Sequence, residues 1–312
     1  SRSKAYSSEL SNRFGSAASG YVDPAALFLL LASEIANPNG GVVALIQPIS
    51  TMSARDARRV RQEVASKGSM SSIWIADERV FDADVDVYTP VFTLGSERNH
   101  TEILAGRGFR KTGSDRAPEP EDPTWSSLLA TFRGVPRHEF QTIGQIGDIA
   151  DATADFRDQF YGLAPHVIDI CEADSDHQPP LITTGLIDPA HIKWGNKPVK
   201  FNKQTYRFPR VELADLSEKL NVWAQSRLVP KVLLATQTRV LEAVVDPTGE
   251  FLPSVPVVTI TSDQENLWNL AALLVSPPIT LLALRRHLGA ALSADALKLS
   301  GKDVLSLPLP EG

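Results

Sequence analysis

Between Asp23 and Gly95 the chain alternates helical and extended hydrophobic patterns, and this alternation most limits what it can fold into. PAALFLLLASEIA (24–36) is apolar at helical spacing, with Asp23 placed to cap it and Pro24 suited to the first turn, where no backbone donor is needed. Asn37-Pro38-Asn39-Gly40-Gly41 stops that helix. VVALIQP (42–48) is a continuous β-branched run, the pattern of a strand covered on both faces in a parallel sheet. SARDARRVRQEVASK (53–67) predicts an amphipathic helix, SSIWIADER (71–79) a second buried strand, and VDVYTPVFTLG (85–95) a third extended segment. Helix, strand, helix, strand, strand is the grammar of half of a doubly wound α/β sheet.

The pattern then changes. KTGSDRAPEPEDP (111–123) is rich in proline and acid and reads as a linker, which places one domain at 1–116 and another at 117–312. Beyond it short β-prone runs dominate, clearest at VPKVLLATQT (229–238), VLEAVVD (240–246) and VPVVTIT (255–261), with Asp246-Pro247-Thr248-Gly249 as a turn. Helices are expected at Glu265–Leu274 and near Thr280–Leu292, then an extended tail from Asp303. Ser276-Pro277-Pro278-Ile279 reads as the turn separating the two helices. The second half is therefore expected to be a β-rich α+β domain.

Composition narrows the function. The longest apolar run, AALFLLLA (25–32), is far short of the roughly 20 residues that span a bilayer. One cysteine, Cys171, excludes an internal disulfide and a multi-cysteine metal site, and a cytoplasmic location is expected. The histidines are scattered, Asn99-His100 has no second ligand at metal spacing, and no phosphate-cradling glycine loop occurs, so no metal site is expected. Charge is uneven. The whole chain carries −6, but residues 191–239 carry +7 and the remainder −13. Within HIKWGNKPVKFNKQTYRFPR (191–210) six residues are Lys or Arg, none is acidic, and Trp194, Phe201, Tyr206 and Phe208 lie between the cations. Such a stretch is either a surface for nucleic-acid phosphates or a solvated loop.

Four segments together resemble one family. YVDPAALFLLLASEIANPNGGVVALIQPIS and SARDARRVRQEVASKGSMSSIWIADERVFDADVDVYTPVFTL resemble the helix, glycine turn, strand and final hairpin that follow the catalytic loop in adenine-N6 DNA methyltransferases. PLITTGLIDPAHIKWG and LVPKVLLATQTRVLEAVVDPTGEFLP resemble the target-recognition domain of the same enzymes, the Taq-type methyltransferases and the type IIG restriction–modification proteins. Order and spacing agree from about Tyr21 to Pro310. The resemblance implies a partial Rossmann-like methyltransferase sheet followed by a DNA target-recognition domain, in a restriction–modification or phage-defence system. The implied cofactor is S-adenosylmethionine and the implied partner is double-stranded DNA.

The family's glycine-rich cofactor loop and its Asn/Asp-Pro-Pro-aromatic motif do not occur in these 312 residues. The catalytic set within the chain is therefore empty. The expectation is that an N-terminal region or a partner subunit carries the catalytic loop, and that this chain alone neither methylates DNA nor binds the cofactor. A non-catalytic specificity subunit is the alternative. By resemblance, Phe28 falls beside the cofactor adenine, while Pro48, Ser50 and Phe92 fall at the target-base pocket. Core packing is the rival role for Phe28 and Phe92. DNA contact is expected from Lys193, Trp194, Lys197, Lys200, Lys203, Tyr206, Arg207 and Arg210. Lys231, Gln237 and Arg239 form a second element at a strand end. There glutamine and arginine have the chemistry to read adenine and guanine, unless Arg239 pairs internally with Glu242 or Asp246.

Overall fold

The computed structural model describes residues 3–83, 85–155, 157–172, 177–289 and 296–311. The chain forms two compact units, one of Ser1–Arg137 with Leu284–Ala296 and the other of His138–Ala283 with Leu297–Gly312. The fold is mixed α/β with several sheets.

The first unit contains α1 (Lys4–Phe14), α2 (Pro24–Ile35), β1 (Val42–Ala44), β2 (Gln47–Pro48), α3 (Arg58–Ser66), β3 (Gly68–Ile75), β4 (Val87–Leu94), β5 (His100–Ala105), β6 (Arg110–Arg116) and α4 (Ser126–Phe132). Asp23 caps α2 through the Ala25 backbone N–H, with Pro24 in the first turn. The sheet order is β1-β4-β3-β5-β6, with β2 also on β4. β4 is antiparallel to both β1 and β3, so those two run parallel to each other, and β5 is parallel to β3. Leu29 and Leu30 of α2, Val60 and Val64 of α3, Ile73 of β3, Phe92 of β4 and Trp125 share one core.

Two expectations are corrected here. VVALIQP is not a strand covered on both faces. Only Val42–Ala44 and Gln47–Pro48 are strand, β1 is paired with β4 alone among the described residues, and Val42 is 63% exposed. The proline- and acid-rich stretch is not linker throughout, because its residues 111–116 pair in β6 with β5. Pairing overrides composition at that point, since β6 carries Asp115 inward. Asp115 accepts from Thr131 Oγ1, from Arg137 and from Arg285 of the returning segment. Ser126 Oγ, donating to the Leu288 carbonyl, ties that segment down as well.

The second unit is built of small sheets, as the short β-prone runs predict. Its elements are β7 (Thr142–Gln145), β8 (Ala150–Thr153), α5 (Arg157–Leu163), β9 (Val167–Asp169), β10 (Leu181–Ile182), β11 (Ile187–Asp188), β12 (His191–Ile192), β13 (Val199–Phe201), β14 (Gln204–Tyr206), β15 (Pro209–Val211) and α6 (Glu218–Arg227). They continue with β16 (Lys231–Ala235), β17 (Glu242–Asp246), β18 (Leu252–Pro253), β19 (Val258–Ser262), α7 (Gln264–Leu274), α8 (Pro277–His287, whose residues from Leu284 on belong to the first unit), α9 (Gly301–Leu305) and β20 (Pro308–Pro310). The main sheet is β17-β16-β19-β8, and β11–β12 and β13–β14 are hairpins. Pro277 and Pro278 open α8, so the Ser-Pro-Pro-Ile segment is a helix start as well as a separator. The expected end of that helix, 290–292, lies outside the described residues. The tail expected to be extended first makes α9, then β20.

Lys231 stands directly across from Asp246 in the β16–β17 register, and both are fully buried. The Asp246 carboxylate accepts from the Lys231 ammonium and from the backbone N–H groups of Gly249, Glu250 and Phe251. Gly249 is obligatory in this turn. Its φ is +77°, and a Cβ would stand 2.5 Å from the Val229 carbonyl carbon. Burial pushes the Lys231 ammonium below the ordinary lysine value, and Asp246 pulls it the other way.

Two measurements test these buried charges. Breaking a buried pair strands its partner, so Lys231→Ala is expected to lower the unfolding free energy by about 3–5 kcal/mol in a denaturant titration. Asp115→Asn is expected to cost about 3 kcal/mol in the first unit. Burial alone would raise the Asp115 pKa, but the hydrogen bonds of Thr131, the Arg116 backbone N–H and Arg285 outweigh it and hold the group low. A depressed carboxylate stabilises fully above its unfolded pKa of about 3.9 and loses that contribution as pH falls through the folded value. The parent should therefore lose stability below about pH 4 more steeply than the Asn variant.

Candidate nucleic-acid interface

Cations and aromatics interleave in the middle of 191–210 because β13 and β14 form a hairpin with one face in the core. In β13 and β14, Phe201 and Tyr206 are buried while Lys200, Gln204 and Thr205 are exposed. The period of two, not a stacking platform, produces the alternation. Phe201 pairs with Gln204 across a two-residue turn in which Asn202 and Lys203 both have positive φ, 45° and 69°. That is the turn geometry matched to strand twist, and it suits Asn far better than Lys. A lysine held in the left-handed region at the tip of a hairpin is local strain kept at an exposed charge.

The cations divide into two sets. Lys197, Lys200, Lys203 and Arg207 are exposed. Lys200 and Lys203 have no ion-pair partner among the described residues, and Lys197 donates to the Gly185 carbonyl at 3.3 Å. Arg207 lies over the Phe208 ring. The other set is committed within the unit. Lys193 pairs with Asp188. Arg210 is 6% exposed, donates to the carbonyls of Ile170, Cys171 and Gln178, and lies over the Trp194 ring at 4.8 Å. Burial lowers the Arg210 pKa.

The aromatics expected at DNA are likewise committed. Trp194 packs edge-on against Phe208 and donates from Nε1 to the Pro209 carbonyl. The chain turns beside this stack at Gly195, where φ is +76° and a Cβ would meet Phe208 at 2.8 Å. Tyr206 donates to Gln204 Oε1. These side chains support the surface and do not form it.

At the other expected element, Lys231 is buried in its pair with Asp246. Strand β16 ends at Ala235, so Gln237 and Arg239 lie on a bend beyond it. The Thr236 and Thr238 carbonyls accept from Leu299 and Leu297, which holds the bend, and Thr236 is buried. Gln237 and Arg239 are exposed. Among the described residues Arg239 pairs with neither Glu242 nor Asp246. Glu242 sits near Asp188, Lys193 and Lys197, and its pKa is raised by burial and by Asp188 against the two lysines.

In the first unit, Phe28 is 63% exposed and is not a core residue. Pro48 is half-buried and Ser50 exposed. Phe92 is fully buried, tilted against Trp125 at 5.5 Å, so its ring has no route to a base. The cavity beside β2, lined by Gln47, Thr51, Arg61 and Tyr88, has a volume of about 10 Å³, room for one water. Arg61, buried at its edge and donating to the carbonyls of Thr51, Ala54 and Pro123, is lowered by burial to about 10 and stays charged at neutral pH.

Sequence reasoning missed one feature. A cleft of about 320 Å³ opens in the second unit between Phe160, Thr183, Lys200, Phe201 and Ser254. Of these only Lys200 was expected at a site. Thr183 and Thr184 lie inside the PLITTGLIDPAHIKWG segment, where a Thr-Thr-Gly run on a short extended stretch was the available signal.

Among the described residues no single helix is long and apolar enough to cross a membrane. No protein-family model and no curated protein matches the chain. Solved structures that resemble it include two restriction enzymes. The type IIG restriction endonuclease BpuSI has 13% identity and a TM-score of 0.40, with 98% of this chain and 44% of that one covered. The type IIL restriction-modification enzyme MmeI, solved in complex with DNA, has 11% identity and a TM-score of 0.53, again over 98% of this chain and 44% of that one. The chain thus spans less than half the length of the structures it matches, and what it shares with MmeI is the fold.

Proposed function

We propose that this chain supplies DNA target recognition, and part of the catalytic domain, to a restriction–modification enzyme whose complete form is an S-adenosylmethionine-dependent adenine-N6 DNA methyltransferase. The observation that carries the reading is the surface of 191–210, where Lys200 and Lys203 on the β13–β14 hairpin and Lys197 and Arg207 flanking it face solvent, while Phe201 and Tyr206 are turned inward. Cations held this way neutralise phosphates and release counterions. Gln237 and Arg239 lie on a bend fixed by backbone hydrogen bonds, and their side chains suit adenine and guanine edges. The likeness in fold to MmeI, a restriction–modification enzyme solved with DNA, supports this reading.

Completion by further protein is part of the reading. α2 is apolar around most of its circumference, and together with the β1–β2 segment it leaves Phe28, Ile35, Val42 and Ile46 exposed beside a strand edge with no described partner. A helix apolar all round belongs in an interior. The rest of the catalytic domain, from the same polypeptide or a catalytic partner subunit, covers this face, and Phe28, Pro48 and Ser50 then contribute to its site. The same face favours the second reading, a specificity subunit that works with a separate catalytic chain.

Two experiments test the recognition surface. Lys197→Ala, Lys200→Ala and Lys203→Ala combined should weaken duplex binding on every sequence and flatten the log–log salt dependence by up to about 0.9 per lost contact. Lys203→Gly relieves the left-handed strain, so stability should stay within about 1 kcal/mol of the parent while the salt slope still falls. An unchanged slope in both would assign the hairpin to plain solvation. In the complete enzyme, Gln237→Ala and Arg239→Ala should each relax preference at one or two base positions, by about 1–3 kcal/mol of discrimination, with melting temperature unchanged. A lowered melting temperature with preference intact would make them structural.

A further inference from the structure

The cleft in the second unit has the chemistry of a small-molecule site. Its volume of about 320 Å³ lies within the usual range for ligand pockets. The Phe160 and Phe201 rings, with centroids 4.6 Å apart, form one wall, and Val199 and Pro256 add apolar surface. Thr183 is 8% exposed, and its hydroxyl is buried with no hydrogen-bond partner among the described residues. Native structures rarely leave such a group unsatisfied. Among the described residues Ser254 Oγ makes only a long contact, 3.4 Å, to the Val255 carbonyl. Lys200 stands exposed among the described lining residues, none of which is acidic.

These features select among ligands. A bare phosphate would use Lys200 and leave the apolar wall empty. An apolar ligand would strand the Thr183 and Ser254 hydroxyls. A planar heterocycle with donors and acceptors on its edge, joined to an anion, satisfies wall, hydroxyls and ammonium together. We infer that the cleft binds one nucleotide, with its base between the phenylalanine wall and the Thr183 and Ser254 hydroxyls and its phosphate at Lys200. Where that nucleotide belongs to DNA, the inference rests on the recognition reading above. A free nucleotide presents the same chemistry.

The structure provides a way to close the cleft. A Cβ at Gly185 would stand 3.8 Å from Val199 and 3.9 Å from Thr183 Oγ1, ordinary contact distances, so Gly185→Leu fills the space without a clash at its root.

The test titrates the full chain with dAMP, dGMP, dCMP, dTMP and inorganic phosphate by calorimetry. In parallel, fluorescence anisotropy compares a paired duplex with the same duplex carrying one unpaired, extrahelical nucleotide. At least one nucleotide should bind about tenfold more tightly than phosphate. Thr183→Val keeps the shape and removes the hydroxyl, and should weaken it about three- to tenfold. Gly185→Leu should abolish nucleotide binding, with the melting temperature reporting that it folds. Should either variant unfold, Lys200→Met at an exposed position gives the same readout. Tighter binding of the bulged duplex, lost in Gly185→Leu, would support a nucleotide presented by DNA. Nucleotide binding without that preference would support a free one. Nucleotides binding no better than phosphate, or equally well in every variant, would overturn the inference. Loss of duplex binding with nucleotide binding retained would remove the recognition reading and leave the cleft assigned.

Discussion

The second unit depends on one buried ion pair. Lys231 at the start of β16 faces Asp246 at the end of β17, where the Asp-Pro-Thr-Gly turn begins, and water reaches neither. Taking two charges out of water costs several kcal/mol each, and attraction alone does not reliably repay that. Asp246 survives there because it also collects three backbone N–H groups, the chemistry of a turn. The pair fixes which residue of β17 stands opposite which residue of β16. Register in turn sets where β16 ends, and hence which side chains the Thr236–Arg239 bend turns outward.

The basic stretch follows a related division. One part of its charge is spent on structure: Arg210 is held by three carbonyls and the Trp194 ring, and Lys193 by Asp188. The remainder is presented. Arg210 suits the interior role because its planar fork can serve several carbonyls at once while its face stacks on an indole. Lysines suit the exposed role, where a flexible point charge follows a phosphate without demanding one geometry.

Much of the local structure was legible in the sequence. Asp23-Pro24 marked the start of α2, Asp246 to Gly249 the turn, and VPKVLLATQT, VLEAVVD and VPVVTIT three strands, the first of which ends at Ala235, short of the expected Thr238. What periodicity could not supply was the partner of each face. VVALIQP has the composition of a covered strand, yet cover depends on what lies across from it, and β1 has β4 alone. Lys231 illustrates the same limit, because a lysine heading a β-strand looks like surface until the residue fifteen positions later is known to stand opposite. Composition also misplaced the 111–116 stretch, because it cannot show which element pairs with it, here the neighbouring strand β5. The cleft was invisible for the same reason: Phe160, Thr183, Lys200 and Ser254 come from four separate parts of the chain.

Lys200 links the two proposed surfaces. Its neighbours on β13, Val199 and Phe201, line the cleft, while the β13–β14 turn carries Lys203 to the exposed tip. One ammonium can make a close contact with one phosphate at a time. If the bound nucleotide is part of the DNA, the phosphate at Lys200 is its own, and the duplex surface and the cleft form one continuous path, charged outside and apolar within. If the nucleotide is free, its phosphate takes the same ammonium from the duplex, and the two ligands must compete. The second case converts a recognition surface into one that senses nucleotide concentration, with no moving part required beyond a single lysine side chain.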